Sequence, residues 1–283
     1  MNDIECKAFI LQKDGSPITC QDRLAMNLVR GRFVVADGVS NSYHPEVTAA
    51  ELCWLFTQAD YAAPDWPKVF HERLFASLCT TWQRVVADHE SRLSGRQLRH
   101  ALSKREDLPP GASTMAGIIV DTGRRLIDFH ILGDSTLFLA YDGQTPEWLC
   151  TSPATALPDG RIRVAYNNHP SCLVADGRMA GCWASGVRPL RPGFVALATD
   201  GLAEWMQAEL LSGRDALSRL WALNSHDEFE ALAVAERQKM HMHDDLALIL
   251  LRVNNTDEPI TGFSTLCHDE LPSAMLSAKP AST

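Results

Sequence analysis

RFVVADGVSNS, residues 32–42, joins a short apolar run to a polar turn that carries a carboxylate. Residues 33–36 are too few for a helix, but four consecutive apolar residues suit a strand that is buried on both faces. The run stops at Asp37, whose carboxylate therefore leaves the end of a strand, and Gly38 then lets other groups approach the backbone closely. Because Asp-Gly is also a frequent turn dipeptide, the stretch gains meaning only if similar stretches occur elsewhere.

The same arrangement returns at residues 194–202, FVALATDGL, where a helix follows from Ala203. Other aspartates also lie beside short apolar segments, and Asp134 directly follows a buried run, so its carboxylate should leave the core edge as Asp37 does. Each of them, taken alone, is also compatible with an ordinary surface turn. The aspartates at such positions are Asp22, Asp37, Asp134, Asp200 and Asp244 or its neighbour Asp245.

Hydrophobic periodicity predicts the remaining elements. The apolar stripe of the longer early helix is typical of a helix packed on a core, not of a cofactor site. The predicted order is strands within residues 6–36, helices over 45–55 and 69–86, a helical end with an exposed loop over 91–110, a strand meander over 112–149, helices over 216–223 and 228–240, and a strand over 246–253.

Residues 150–190 have weak periodicity and many Gly, Pro and Asn residues. A connection of this length in a compact domain is typical of a functional flap or of disorder. Its Arg161, Arg163 and Arg188 are candidates for contact with an anionic partner, although exposed arginines are usually just solvated. The polar tail from residue 254 to 283 predicts disorder, so we expect one domain over residues 1–253.

Composition limits the function classes. The chain has 283 residues, of which 46% are hydrophobic and 22% charged, and a net charge of −9 without a Lys/Arg block. This excludes an obvious nucleic-acid or anionic-membrane surface, and no apolar run approaches the roughly 18 residues of a membrane span. Eight cysteines without a CxxC pair indicate reduced thiols and disfavour zinc, so with no basic and apolar leader we expect a cytoplasmic protein.

The aspartates predict a metal site if their strands lie side by side. Several carboxylates in one place repel one another unless cations or protons neutralise them. Ligand sets made only of oxygen suit Mg²⁺ or Mn²⁺, and two such ions activate a water for in-line displacement at phosphorus. His241 and His243 alternate just before a strand, but carboxylates suffice for such ions, so we do not expect these histidines to be ligands.

Six motifs in one order resemble the metal-dependent protein phosphatases of type 2C: QD (21–22), DG (37–38), ASTMAG (112–117), GDS (133–135), TDGL (199–202) and DDLAL (244–248). The resemblance covers residues 5–253. It implies an α+β fold, a four-layer α-β-β-α sandwich of two antiparallel sheets flanked by helices. It also implies hydrolysis of phosphoserine or phosphothreonine by a metal-activated water, without a covalent phosphoenzyme.

The resemblance also implies roles for individual residues. Asp37 would bridge two Mg²⁺ or Mn²⁺ ions, with the Gly38 carbonyl on the second ion, and Asp200 and Asp244 would bind the first. Asp22 would hold metal-bound water, and Asp134 would bind a third, looser ion. Asp37, Asp200 and Asp22 are therefore the expected catalytic residues, and residues 150–190 occupy the place of the family's variable flap.

Two departures from the family pattern affect these expectations. Ser40 and Asn41 stand where the family often has glycines, and Pro17 stands where many members carry a phosphate-binding arginine. Lys13, Arg23 or a flap arginine is a candidate substitute.

Three functions therefore remain open. The first is an active serine/threonine phosphatase with a phosphorylated protein as substrate and a cognate kinase as partner, and without a nucleic-acid or membrane partner. The second is an inactive relative that binds a kinase or phosphoprotein through its flap; the missing arginine favours it and the aspartates argue against it. The third is a metal hydrolase of a small phosphorylated metabolite.

Overall fold

The computed structural model describes residues 4–13, 19–58, 66–158, 160–166, 169–239, 241–254 and 262–265, with the backbone alone for residues 66–73 and 75. Within these ranges the chain has the mixed α+β fold that the sequence predicts.

The strands in chain order are β1 (Ile4–Leu11), β2 (Arg23–Asn27), β3 (Arg32–Ala36), β4 (Ala112–Ser113), β5 (Met115–Asp121), β6 (Leu126–Leu132), β7 (Thr136–Tyr141), β8 (Glu147–Leu149), β9 (Ala154–Ala156), β10 (Ile162–Val164), β11 (Cys172–Val174), β12 (Met179–Ala180), β13 (Ala184–Pro189), β14 (Gly193–Ala198), β15 (Leu246–Val253) and β16 (Phe263–Thr265). The α-helices are α1 (Pro45–Gln58), α2 (Trp66–Ser91), α3 (Gly95–Asp107), α4 (Asp200–Leu211), α5 (Ala216–Trp221) and α6 (His226–Arg237).

Two sheets form the centre of the fold. One has six strands in the order β16-β1-β15-β14-β7-β8, and the other has five in the order β13-β6-β5-β3-β2. All neighbouring pairs are antiparallel except β1 and β16, which are parallel. The expectation of entirely antiparallel sheets is therefore wrong at this one edge, because β16 runs opposite to β15 and pairs with β1, which is itself antiparallel to β15.

Three hydrophobic clusters connect the sheets and the helices. The first combines buried side chains of both sheets, the second joins the six-stranded sheet to α4, α5 and α6, and the third joins the five-stranded sheet to α1 and α2. Alternation along β3 explains this arrangement, since Phe33 and Val35 belong to the first cluster while Val34 and Ala36 belong to the third. The apolar run at residues 33–36 is thus a strand buried on both faces, as its sequence predicts.

The segments with weak sequence signals differ most from expectation. The predicted loop within residues 91–110 contains α3, a helix of which Ala101 alone is buried, and Arg105 of α3 pairs with Glu90 of α2 at 2.6 Å. With so little apolar surface to bury, the helical period is faint in the sequence. Residues 150–190 contain the β9–β10 hairpin, the strands β11 and β12 beside β4, and β13 at the edge of the five-stranded sheet.

Three other expectations concern the tail, the cysteines and membrane spans. The predicted disordered tail lies mostly outside them, and its described part includes β16, where Phe263 packs beside Phe33. Seven cysteines are described and all are free, four of them buried, whereas Cys267 lies outside the described residues. None of the described helices is both long and apolar enough to cross a membrane.

Candidate metal centre

The first site residue, Asp37, is held in place through its backbone. Its carbonyl accepts hydrogen bonds from the Thr114 N–H at 2.9 Å and from the Ser113 hydroxyl at 2.7 Å, so the end of β3 is fixed against the segment around β4. A Cβ on the following Gly38 would lie 2.9 Å from the Pro45 Cβ and 3.0 Å from the Gln21 carbonyl oxygen. Glycine is therefore required for the close approach that the sequence suggested.

Two further strand ends deliver Asp134 and Asp200. Asp134 follows β6 in a turn that needs Gly133 at φ 89°, and its side chain is 1% exposed. The Oδ1 atom of Asp134 has no hydrogen-bond partner among the described residues. Asp200 follows β14 and opens α4, and its Oδ1 accepts the N–H of Gly201 at 2.6 Å.

These carboxylates line one small cavity of about 190 Å³. Asp37, Asp134, Asp200 and Asp244 contribute to its wall, together with residues 38–41 and Pro170. The four aspartates come from four separate segments of the chain, which the fold brings to one place. Four of the aspartates singled out in the sequence therefore lie on the wall of a single pocket.

The pocket carboxylates raise one another's pKa. Burial, followed by the charge of Asp134, raises the pKa of Asp37 to about 7. Burial, followed by the charge of Asp200, likewise raises the pKa of Asp134 to about 7. The pKa of Asp200 is also well above its usual value, first through burial and then through Asp37 and Asp244. Such shifts are typical of buried carboxylates that lie close to one another.

Asp22 lies behind this pocket instead of lining it. It is 1% exposed, and its Oδ2 accepts a hydrogen bond from the Thr199 hydroxyl at 2.6 Å. Burial raises its pKa well above the usual range, and the charges of Asp37 and Asp245 add to this effect. Asp22 is thus close to Asp37 electrostatically, in a position that is compatible with an indirect role.

The neighbouring aspartates 244 and 245 have different environments. Asp244 lines the pocket, and its Oδ1 accepts from the Lys13 ammonium at 2.8 Å. Asp245 is 2% exposed and accepts the backbone N–H groups of Lys13 and Gln21, both at 2.7 Å. Asp245 therefore fixes two loops beside the pocket, a role that sequence reasoning missed because nothing in the pair distinguishes the two carboxylates.

The chemistry of the pocket fits a hard divalent cation. Its candidate ligands are carboxylate oxygens and the Gly38 carbonyl, which suit Mg²⁺ or Mn²⁺, and the unpartnered Oδ1 of buried Asp134 is a free acceptor. In the described part of the chain, no three His, Cys, Asp or Glu side chains are grouped closely enough to hold an ion. The donor atoms on this pocket are therefore of the chemical type that suits such an ion.

The cations proposed to replace the missing arginine have distinct positions. Lys13 pairs with Asp244, and the Arg23 guanidinium donates to the backbone carbonyls of Cys20 and Asp22 at 2.7 and 2.6 Å. Arg188 pairs with Glu147 at 2.7 Å, away from the pocket. Position 17 lies outside the described residues.

A larger cavity of about 900 Å³ shares Asp200 and Asp244 with the acidic pocket. Arg163 is the flap arginine on its wall, and His241 and His243 also line it with their side chains exposed. Ser40 and Asn41 lie on the smaller pocket, where the Ser40 hydroxyl donates to the Gln21 side-chain oxygen at 2.7 Å. These two polar residues thus form part of the pocket wall.

The family model described as protein phosphatase 2C matches residues 12–247, whereas no curated protein matches the sequence. The structure resembles the serine/threonine phosphatase Stp1 from Staphylococcus aureus with a TM-score of 0.57 and 14% identity, over 90% of this chain and 96% of Stp1.

Two other solved structures are similar over comparable lengths. The catalytic domain of the serine/threonine phosphatase PstP, in complex with two manganese ions, matches with a TM-score of 0.52 and 14% identity over 89% of this chain and 99% of that domain. PppA, described as a key regulatory component of T6SS in Pseudomonas aeruginosa, matches with a TM-score of 0.54 and 13% identity over 89% and 98%. At such identities the structures establish the fold, and the family model establishes that the chain belongs to the protein phosphatase 2C family of Mg²⁺- or Mn²⁺-dependent serine/threonine protein phosphatases.

Proposed function

We propose that this protein hydrolyses phosphoserine or phosphothreonine in a phosphorylated protein, in a reaction that depends on Mg²⁺ or Mn²⁺. The observation that carries the proposal is the small pocket, in which four aspartates from separate segments meet within the span that the family model covers. A scaffold that only binds partners would gain nothing from the repulsion of these buried carboxylates, which costs stability at neutral pH.

The proposed ligands are the carboxylates of Asp37, Asp200 and Asp244 and the carbonyl of Gly38, for two ions. Asp134, with its unpartnered oxygen, is the proposed ligand for a third. When bound, such ions act as Lewis acids on phosphoryl oxygens and supply a hydroxide nucleophile at neutral pH.

Neighbouring residues of the chain hold these ligands in place. The hydroxyl of Thr199 holds Asp22 through its Oδ2, while Asp22 lies against Asp37. Asp245 accepts the two backbone N–H groups that fix the loops carrying Lys13 and Gln21. Asp22 is buried and has a raised pKa, and its role in the proposal is to hold a water at the edge of the metal site.

The wider proposal covers the rest of the chain. Residues 1–253 would form one catalytic domain with residues 150–190 as its flap, followed by a tail over residues 254–283. The proposal also includes a cytoplasmic location and a cognate serine/threonine kinase as partner.

The test replaces single carboxylates in the pocket. Asp37→Asn and Asp200→Asn should each lower the Mn²⁺-dependent hydrolysis of p-nitrophenyl phosphate and of a phosphothreonine peptide by about 100-fold or more, since each removes a charge that stabilises the ions. The matched control is Asp142→Asn, in which a half-exposed carboxylate of a hairpin turn is changed. Wild-type turnover in either pocket variant would contradict the proposal.

Two further measurements separate the competing functions. Calorimetry with Mn²⁺ should show binding to the wild-type protein, whereas an inactive relative without a metal site would show none. Turnover of phosphopeptides should exceed that of nucleotides and sugar phosphates; the opposite order would indicate a metabolite phosphatase.

A further inference from the structure

The larger cavity is a cleft between one helix and one short strand. One wall is α4, including Glu204, Gln207 and Ala208, and the other is formed by residues 163–166 at the end of β10. The cleft begins at Asp200 and Asp244, so it leads directly away from the acidic pocket. Its volume of about 900 Å³ is at the upper end of the range for a drug-sized ligand, and therefore far exceeds what a phosphate group needs.

The strand side of the cleft has little support from its own sheet. Within the described residues, β10 pairs with β9 alone, through three residues on each strand. An isolated two-stranded hairpin of this kind is marginally stable at best in water. Something else must therefore keep β10 at a fixed distance from α4.

The side chain of Gln207 supplies this support. Its Oε1 accepts the N–H of Val164 at 2.8 Å, and its Nε2 donates to the carbonyl of Val164 at 3.4 Å. Both residues are 4% exposed. The amide of Gln207 thus pairs with both backbone groups of one residue, as a neighbouring strand would, and it does so where water cannot replace the bonds.

Two contacts on either side of Val164 reinforce this attachment. The guanidinium of Arg161 donates to the carbonyl of Leu211 at the end of α4. The hydroxyl of Tyr166 lies 3.3 Å from that of Thr136, which itself donates to the carbonyl of Asp134 at 2.8 Å. The hairpin is therefore attached both to the helix that begins with Asp200 and to the turn that carries Asp134.

We propose that Gln207 is a positioning residue that determines substrate specificity by holding β10 at a fixed distance from α4. The open cleft then accepts the extended polypeptide on one side of the phosphorylated residue, between Arg163 on the strand and Glu204 on the helix. Small phosphate esters need only the acidic pocket and are insensitive to the width of the cleft. This inference rests on the proposed phosphatase function.

The main variant is Gln207→Met, which keeps the length of the side chain and removes both hydrogen-bonding groups. The ratio of kcat/KM for a phosphothreonine peptide to that for p-nitrophenyl phosphate should fall about tenfold, chiefly through the KM of the peptide, as the loss of one or two net hydrogen bonds would allow. Gln207→Glu retains an acceptor for the Val164 N–H, so its ratio of kcat/KM values should lie between those of the wild type and Gln207→Met. Gln97→Leu, on α3, is the matched control and should leave the ratio unchanged.

A second readout does not depend on activity. Limited trypsin digestion should cleave after Arg163 about tenfold faster in Gln207→Met than in wild type, because the hairpin opens more often when its attachment is lost. An unchanged substrate ratio together with unchanged cleavage would overturn the inference. If the wild-type protein hydrolyses neither substrate, the proposed function fails, whereas the trypsin result still decides whether Gln207 holds the hairpin.

Discussion

The hydroxyl of Thr199 offers a quantitative test of how the acidic centre is built. It donates to Oδ2 of Asp22 at 2.6 Å and accepts the N–H of Ala247 at 2.9 Å, and Thr199 is completely buried. Thr199→Val preserves the shape but removes both bonds. A hydrogen bond to a charged or partly charged group contributes about 1.5–3 kcal/mol, and an orphaned buried N–H costs about 1–3 kcal/mol, so we expect a loss of about 2.5–6 kcal/mol in unfolding free energy.

The same variant should also alter a titration. The bond from Thr199 lowers the pKa of Asp22. Its removal should therefore raise that pKa further and shift the acidic limb of the Mn²⁺-dependent pH–rate profile to higher pH. Urea denaturation measures the stability change, and Thr199→Ser, which keeps the hydroxyl and loses about one methyl group, is the control at about 1 kcal/mol. If the valine and serine variants were equally stable, the hydroxyl would contribute nothing and the reasoning would fail.

Three further outcomes follow from the same structure. In the presence of a chelator, the melting temperature should fall as pH rises through about 7. Carboxyls with a raised pKa stabilise the fold below their pKa in the unfolded chain, and they have lost that contribution above their pKa in the folded chain. Excess Mn²⁺ at pH 8 should reverse the loss. Lys13→Met removes the ammonium that competes for Asp244 and should tighten Mn²⁺ binding by up to about fivefold in calorimetry, the limit for an exposed pair; weaker binding would contradict this. Gly117→Ala places a Cβ 2.7 Å from the Phe56 ring and should cost about 1–3 kcal/mol in thermal unfolding, whereas Gly262→Ala, with open space around it, should cost little.

The parts of the fold that could be predicted are those with a strong local signal. Strand β15 contributes Ala247, Ile249 and Leu251 to the cluster between the sheets and Leu248 and Leu250 to the cluster under the helices. A strand that is apolar at seven of its eight positions has to be covered on both sides, and that constraint alone predicts a layered fold. The helix α3 lacked such a signal, because a helix that buries one residue has almost no apolar period to detect.

The residues of the site also differ in how far the sequence predicts them. Asp37 and Asp200 could be found because each follows a buried strand and precedes a glycine, a pattern that local chemistry explains. The attachment of β10 through Gln207 could not be predicted, because nothing in the sequence around a helical glutamine indicates a hydrogen-bond partner 43 residues away. Contacts of this kind depend on tertiary packing, and a single sequence specifies them only through the complete fold.

The raised pKa values connect the stability of this protein to its proposed chemistry. Asp22 and Asp134 are each 1% exposed and lie beside other carboxylates, so at neutral pH the folded chain must either keep protons on them or accept their repulsion. A ligand that binds the folded state alone stabilises it by about 2.7 kcal/mol at 100 times its dissociation constant. Divalent cations should therefore act on folding and catalysis together, and a substitution that removes one pocket carboxylate should stabilise the chelated protein while it weakens the response to Mn²⁺. Asp134→Asn is the sharpest case, because its Oδ1 has no partner to lose among the described residues; if this variant were less stable than wild type at pH 8 with chelator, burial and repulsion of the charge together would not dominate the stability of the pocket.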